Sequence, residues 1–564
     1  MKEDFSINEL LEKAWKYESG RRLLPYDVFK WWGRRPALFI QALLLDSHDT
    51  PLNDLDECVA KRLSHESYRV LKDLTICDPM CGGGTTCIEA LFLGARKIIC
   101  SDIDPSSVLV VKATLKIMSE KCTEIFNQLY DALMTTVDKT RNLWCINEYC
   151  YVHTFLTREC YDDFCIVPRW LGIRRKKNKV VKVSITEDGD IVEDANVGIN
   201  EKISIPRKNL VKINEGVYAY ASELYRPLEN KIVERVFVSL IKNPRIATHL
   251  AESQERSRSL LEKSCMPIPE HKETKRLKKN GVVCWEELFT PRQLLTLKLF
   301  LEEVNNINSS ILDVATAMIG TAIRTLSLLA FYYQPYGKIN PGLIIKSYWL
   351  PKYPAELNPL AADFKNMKTI GRGTLLTYLK KISKACELYK HQNLNMNSVI
   401  VESKNAYEVS YIDCDVVILD PPYPSKIDYN AMSLVYDVAR GLIPSKSGVN
   451  QSKINGGGID VHDLDTYINQ LLDLLRKISM ELKYDGKVYL LLSEDENGQK
   501  VIEAVKSELE KLDTSLSIEE KGSFTSEAPG VLGRSRTKRI IVLKIVKNKF
   551  QHYNIYIRTP QVSK

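Results

Sequence analysis

An α/β protein built on a doubly wound, mostly parallel sheet, with a large α+β insertion, is the fold this sequence predicts. Three observations predict it. Short apolar runs of strand length alternate with helical patterns, as crossover units require. Two of those runs end in loops of Asp, Gly and Pro, at Asp78–Thr86 and at Asp420–Tyr423. Between the second and third runs, residues 121–395 change texture, mixing short alternating stretches with longer helical ones.

The elements follow in order. Ala37–Leu45 is apolar at helical density and starts behind Pro36. Leu74–Cys77 is the first strand, Cys87–Leu93 the helix after it, and Lys97–Cys100 the second strand, closing on Ser101-Asp102-Ile103-Asp104-Pro105. In the insertion, Val180–Val183, Gly189–Val192 and Val211–Ala219 suggest strands and turns, whereas Pro291–Val304 and Ile311–Phe331 are helical. Val399–Val401 is the third strand and Asp415–Leu419 the fourth. Tyr467–Leu482 is apolar at helical spacing, Gly486–Ser493 is a strand, and Thr537–Val546 is a last one reached through the Gly/Ser/Arg-rich Thr525–Ser535. No internal repeat is present.

Composition fits a large globular enzyme. A chain of 564 residues exceeds one ordinary core, and 44% hydrophobic with 27% charged content excludes a disordered chain. No apolar run approaches the roughly 20 residues that span a bilayer. The opening Met1-Lys2-Glu3-Asp4-Phe5 has no signal-peptide pattern, so a cytoplasmic location without membrane attachment is expected. The 14 cysteines are sparse for the length, and reduced thiols are expected.

The two loops carry chemistry. Asp78-Pro79-Met80-Cys81-Gly82-Gly83-Gly84-Thr85-Thr86 joins a strand to a helix, the setting of a nucleotide-type cofactor. Glycines let the backbone approach a ligand, and the helix start supplies free N–H groups. Asp102 lies 20 residues past Gly82, where an acid caps a ribose diol. Asp420-Pro421-Pro422-Tyr423 suits an exocyclic amine. The prolines remove two donors and leave carbonyls free to accept. The Asp420 side chain and the Pro421 carbonyl then accept from one NH2 group while Tyr423 stacks on the attached ring. Two acceptors drawing on its protons concentrate charge on a nitrogen whose lone pair is otherwise delocalised.

With both loops the chain resembles the S-adenosylmethionine-dependent amino-methyltransferases that act on adenine N6 or cytosine N4. More specifically, with pieces spread from about residue 26 to 545, it looks like the large adenine-specific DNA methylases of the DUF1156 type. Lys30-Trp31-Trp32-Gly33-Arg34-Arg35-Pro36, Trp285-Glu286-Glu287-Leu288-Phe289-Thr290-Pro291-Arg292-Gln293 and Asp428-Tyr429 carry that likeness. The resemblance implies a Rossmann-like class I methyltransferase sheet with an antiparallel edge strand at its end. It implies cofactor roles for Asp78, Pro79, Cys81, Gly82, Gly84 and Asp102, and more loosely for Asn405. Catalytic roles go to Asp420, Pro421, Pro422 and Tyr423. The implied reaction is direct methyl transfer to a flipped-out adenine in DNA, with S-adenosylmethionine as the cofactor and no metal in the chemistry. The Trp-Trp and Arg-Arg pairs of the N-terminal motif either close over the cofactor, grip phosphate or simply pack a helix start. Ser445–Gly458, rich in Ser, Lys and Gly, is either a closing loop beside the site or a plain loop.

The expected organisation is 1–120 for the N-terminal helices and cofactor-binding half, 121–285 for a candidate target-recognition region, 286–395 for a helical part, and 396–564 for the catalytic half. The net charge of +8 is modest, so its distribution matters more. Arg169–Lys182 carries seven basic residues and no acid, and Arg169, Trp170, Arg174, Arg175, Lys176 and Lys177 are the candidate nucleic-acid contacts. Lys272–Lys279 adds five basic residues against one acid, and phosphate contact and a solvated lysine face explain it equally. Cys145, Cys150, Cys160 and Cys165 form two C-x4-C pairs, with His153 between them. A zinc-ribbon-like site and ordinary thiols are the alternatives, and x4 is long for a zinc knuckle. DNA is the expected partner, and a role beside restriction or phage-defence proteins and a solitary methylase are the alternatives. Two rival readings are an RNA base amino-methyltransferase, acting on adenine N6 or guanine N2, and a catalytically silent nucleic-acid-binding subunit.

Overall fold

A computed structural model describes residue 18 and residues 23–548, apart from residues 32, 49–56, 58–59, 63, 65–66, 177–178, 229–232, 263, 271–273, 343–348, 425–428, 444–457, 460, 513–515 and 527–537. Trp32, Lys177, Asp428 and nearly all of Ser445–Gly458 lie outside the described residues.

The chain is a mixed α/β protein around a seven-stranded sheet. Its strands are β1 (Thr75–Asp78), β2 (Lys97–Asp102), β3 (Val399–Ser403), β4 (Val416–Leu419), β5 (Lys487–Ser493), β6 (Leu516–Ser526) and β7 (Lys538–Lys547). The spatial order is β3-β2-β1-β4-β5-β7-β6. The pairs β3–β2, β2–β1, β1–β4 and β4–β5 are parallel, and β7 is antiparallel to both β5 and β6. Alternation of side chains explains the layers. Val416 and Ile418 of β4 enter one core with Ile76 and Ile98. Val417 and Leu419 enter a second with Cys77, Val488 and Leu490.

Helices cover both faces. On the first lie α1 (Ala37–Ser47), α2 (Thr85–Phe92) and α3 (Pro105–Met118), whose buried side chains share that core. Next in the chain come α4 (Cys122–Trp144), α5 (Pro291–Asn308), α6 (Leu312–Leu326), α7 (Leu375–Tyr389) and α8 (Tyr429–Gly441). They continue the same core, and Gly320 of α6 lies flush against the Tyr436 ring of α8, where any side chain would collide. On the second face α9 (Leu464–Glu481) buries Leu471, Leu474 and Leu475, and α10 (Glu496–Leu512) buries Val501 and Val505. Among the described residues no helix is long and apolar enough to cross a membrane.

The insertion is built as strands first and helices later, but its two parts interlock. Tyr149–Thr157 and Val217–Pro227 pair antiparallel, and Ala355–Leu357, from beyond the helices, joins the same sheet. The tie is a fully buried ion pair. Arg292 donates from Nη2 to Glu356 Oε2 at 2.5 Å and from Nε to Oε1 at 2.9 Å. The motif Trp285–Gln293 therefore has a structural explanation: Thr290 caps α5 in a capping box with Gln293, Pro291 takes the first turn, and Arg292 locks the sheet.

The strands and turn expected over Val211–Ala219 are a hairpin, Val211–Asn214 with Val217–Pro227, turning at Gly216 with φ 65°. Two sequence expectations are corrected. The helix expected over Ile311–Phe331 stops at Leu326, and Phe331 opens a short strand, because an apolar stretch alone does not separate buried helix from buried strand. The last strand is antiparallel but internal, since Leu516–Ser526 is the edge strand β6. Its polar Glu519-Glu520-Lys521 has no apolar period to mark a strand, and that polarity is what keeps an edge from pairing further.

The cysteines also differ from the expected free thiols. Twelve are joined as Cys77–Cys414, Cys87–Cys100, Cys122–Cys386, Cys145–Cys150, Cys160–Cys165 and Cys265–Cys284, and Cys81 is a buried thiol. The two C-x4-C pairs each close within their own hairpin, at opposite ends of Tyr149–Thr157. His153 is buried elsewhere, its Nδ1 2.7 Å from Glu223. Among the described residues no group of three or more His, Cys, Asp or Glu gathers to hold a metal.

Candidate active site

The site forms where three parallel strands end. β1 finishes on Asp78, its neighbour β2 on Asp102, and its other neighbour β4 runs directly into Asp420. Parallel pairing brings all three carboxylates to one edge, the edge where open α/β sheets take their ligands.

The glycine turn is held from several sides. Asp102 Oδ2 accepts from Gly82 N at 2.8 Å and Oδ1 from Asp104 N at 2.9 Å. The Ser107 hydroxyl donates to the Gly82 carbonyl, and Cys81 N donates to the Ser101 carbonyl at 3.0 Å. Cys81 itself is buried 3.8 Å from Ser107 Oγ, and burial pushes its thiol well up. Gly82 and Gly84 have φ of 48° and 76°, the left-handed region that other residues avoid. Gly84 caps α2 with no side-chain acceptor, so the first N–H groups of that helix are left for other partners.

Three acids here, buried Asp78 and half-buried Asp102 and Asp104, are shifted upward. Asp78 is pushed up to about 7, first by burial and further by Asp420 and Asp102, against hydrogen bonds from Thr86 and from Met80 N. Asp104 is pushed up to about 7 by burial and by Asp102, while its side chain caps α3 at Ser106 N. Asp102 is raised by burial as well. None of the three is ion-paired with Lys or Arg among the described residues. Ionising these neighbouring acids is costly, and the nearby cations, Arg440 beside Asp104 and Arg35 on Asp420, offset it only in part. Their acceptor oxygens therefore fit a ligand that brings positive charge and hydroxyl donors.

Asp420 has a partner. Arg35 Nε donates to its Oδ2 at 2.7 Å, and Arg35 Nη2 to its Oδ1 at 2.6 Å. The Tyr423 hydroxyl lies 3.3 Å from Asp420 Oδ1 and also accepts from Arg35 Nη2. The Tyr423 ring is buried. Pro421 is buried and Pro422 half-buried in the turn between them.

The remaining expected residues sit elsewhere. Asn405 follows β3, where its side chain accepts from Tyr407 N at 3.2 Å in a capping box with Glu408. Trp170 is buried, with its indole N–H donating to the Gly172 carbonyl at 2.7 Å, so the ring is turned inward and not toward a ligand surface. Arg169 is held by Asp194 and Glu201 at 2.8 Å each, and Arg174 reaches Glu193 at 3.4 Å. Arg175 and Lys176 lie on the same strand, Trp170–Lys176. Acids distant in sequence thus neutralise part of a run that reads as purely basic.

Sequence reasoning did not find Arg35 as the partner of Asp420, nor Asp104 as a member of the acidic cluster. Asp104-Pro105 carried a legible signal, a capping acid followed by proline at the first helical position. Nothing local points from Arg35 to Asp420. The chain matches no known family profile and no curated protein.

Proposed function

We propose that the protein is an S-adenosylmethionine-dependent methyltransferase acting on an exocyclic amine of DNA, adenine N6 foremost. The observation that carries the reading is the juxtaposition of the Asp102-clasped glycine turn with Asp420–Tyr423 at one end of adjacent parallel strands. The strand order, with an antiparallel strand inserted next to the far edge, supports a Rossmann-like class I methyltransferase sheet.

The residues present fit the cofactor. Each Asp102 oxygen keeps a further lone pair for a ribose hydroxyl. Asp78 and Asp104 supply negative charge toward a sulfonium and an ammonium. When bound, S-adenosylmethionine supplies the electrophilic methyl group. Asp420 and the Pro421 carbonyl hold the two amine protons of the target and direct its lone pair, and Tyr423 supplies the ring on which the base rests. A base in duplex DNA reaches this place only by flipping out.

The test is transfer of labelled methyl from S-adenosylmethionine to unmodified genomic DNA, with tRNA and rRNA in parallel. Incorporation into DNA is the expected result. Incorporation into RNA alone would move the substrate to RNA, and failure to bind S-adenosylmethionine would leave a nucleic-acid-binding scaffold.

A further inference from the structure

Arg35 reaches Asp420 across 385 positions of sequence. Its two donors engage both carboxylate oxygens, and its guanidinium carbon lies 5.1 Å from the Tyr423 ring centroid. A guanidinium is a flat π system edged with N–H donors. An aminopurine presents the same pair of features, a flat face and an NH2 edge. Arg35 thus takes the two partners assigned to the target base, donating to Asp420 and to the Tyr423 hydroxyl with its guanidinium beside the Tyr423 ring. The base and Arg35 cannot occupy them together.

The segment bearing Arg35 is anchored at both ends. Lys30 N donates to Thr321 Oγ1 at 3.1 Å, and the Lys30 carbonyl accepts from Tyr436. At the other end Pro36 leads into α1. Between the anchors Trp31 and Arg34 lie against the glycine turn, with Arg34 Cζ 2.8 Å and Trp31 Cδ1 2.9 Å from where a Gly83 Cβ would stand. Gly33, at φ 69°, turns the chain so that Arg34 and Arg35 reach different halves of the site.

We propose that Arg35 is a built-in stand-in for the target base, a plug which the flipped-out base displaces from Asp420 and Tyr423. The proposal rests on the reading of Asp420–Tyr423 as the amine-binding quartet. It keeps the quartet filled until nucleic acid arrives.

The experiment compares wild type, Arg35→Ala and Arg35→Lys in methyl transfer to unmodified genomic DNA, with melting curves to confirm that each is folded. In Arg35→Ala the KM for DNA is expected to fall roughly tenfold, equivalent to about 1.4 kcal/mol, with kcat not reduced. Arg35→Lys, which keeps the charge but lacks the flat fork, falls between. Guanidinium ion at non-denaturing concentration refills the gap and raises the KM of Arg35→Ala, but not of wild type. A drop in kcat at unchanged KM, restored by Arg35→Lys, would overturn the plug and make Arg35 a positioning residue of the productive complex. Calorimetric binding of free adenine gives a readout without transfer. Tighter binding by Arg35→Ala than by wild type supports the plug even if wild type methylates nothing, which would sink the proposed reaction alone. Equal binding overturns the plug even if wild type is active.

Discussion

Substituting Asp78→Asn probes the acidic cluster most directly, because the neutral side chain has almost the same shape. Asp78 is fully buried, and its carboxyl is raised from 3.8 to about 7. The sign follows from linkage. An unfolded carboxyl ionises near its ordinary value while the folded one holds its proton until about pH 7, so the folded state binds more protons in between. The stability of the unliganded protein is therefore fully present below the unfolded pKa and is lost as pH rises through the folded one. Above that value the ionised, buried Asp78 costs roughly 4 kcal/mol against a neutral form, at 1.36 kcal/mol per pH unit. Asn carries no such cost and keeps the oxygen that accepts from Met80 N. Its stabilising effect is expected to grow by about 2 kcal/mol between about pH 5.5 and about pH 8. Urea unfolding of both proteins at the two pH values, without cofactor, measures it. S-adenosylmethionine affinity should move the other way: wild type binds more tightly as pH rises through about 7 and releases protons on binding, and Asp78→Asn loses that dependence. A gain of equal size at both pH values would refute the argument, as would destabilisation at high pH, since either means that burial is not what holds the proton on Asp78.

Three further substitutions test separate parts of the architecture. Asp420→Ala is expected to lower methyl transfer at least about 10²-fold, as loss of a charge-directing group does, while S-adenosylmethionine affinity measured by calorimetry stays within a few-fold. Gly84→Ala meets both a φ of 76° and Val111 Cγ2 2.6 Å from the new Cβ. Left-handed strain alone costs about 1–2 kcal/mol, so the melting temperature and cofactor affinity should fall together. Glu356→Gln leaves Arg292 buried beside an uncharged partner and should cost about 3–5 kcal/mol in denaturant unfolding. Replacing both by apolar residues should recover most of that loss.

Local features account for what was legible. The strands at Thr75–Asp78, Lys97–Asp102 and Val416–Leu419 are short, apolar and closed by Asp or Pro, so period and punctuation identify them without tertiary information. The glycine turn and the acid after β2 carry their own spacing, and the clasp between Asp102 and Gly82 N joins just those two signals. Legibility failed where partners come from afar. Arg169 looks free for phosphate until Asp194 and Glu201 are seen beside it, and Trp170 looks like a wedge until its strand turns the ring inward. Edge strand β6 was lost for the opposite reason, since a strand kept polar against aggregation has no apolar period to read.

The N-terminal motif bears on both halves of the site at once. A site split between Asp102 and Asp420 joins two chain segments that the sheet, the Cys77–Cys414 bond and the Ser106–Asp437 contact hold together, and the carboxylates of each half repel those of the other. The segment around Arg34 and Arg35 also touches both, through Arg34 at Gly83 and through Arg35 at Asp420. Its cation offsets the repulsion where the halves meet, which gives the unliganded site a reason to stay closed. A target amine presents N–H donors to Asp420 but no formal charge, so displacing Arg35 leaves the acids short of a cation. If the proposed cofactor binds, the positive charge of S-adenosylmethionine would compensate on the other half of the site. On this argument cofactor binding should ease the exit of Arg35, and nucleic acid should bind more tightly to the cofactor-loaded protein than to the free one.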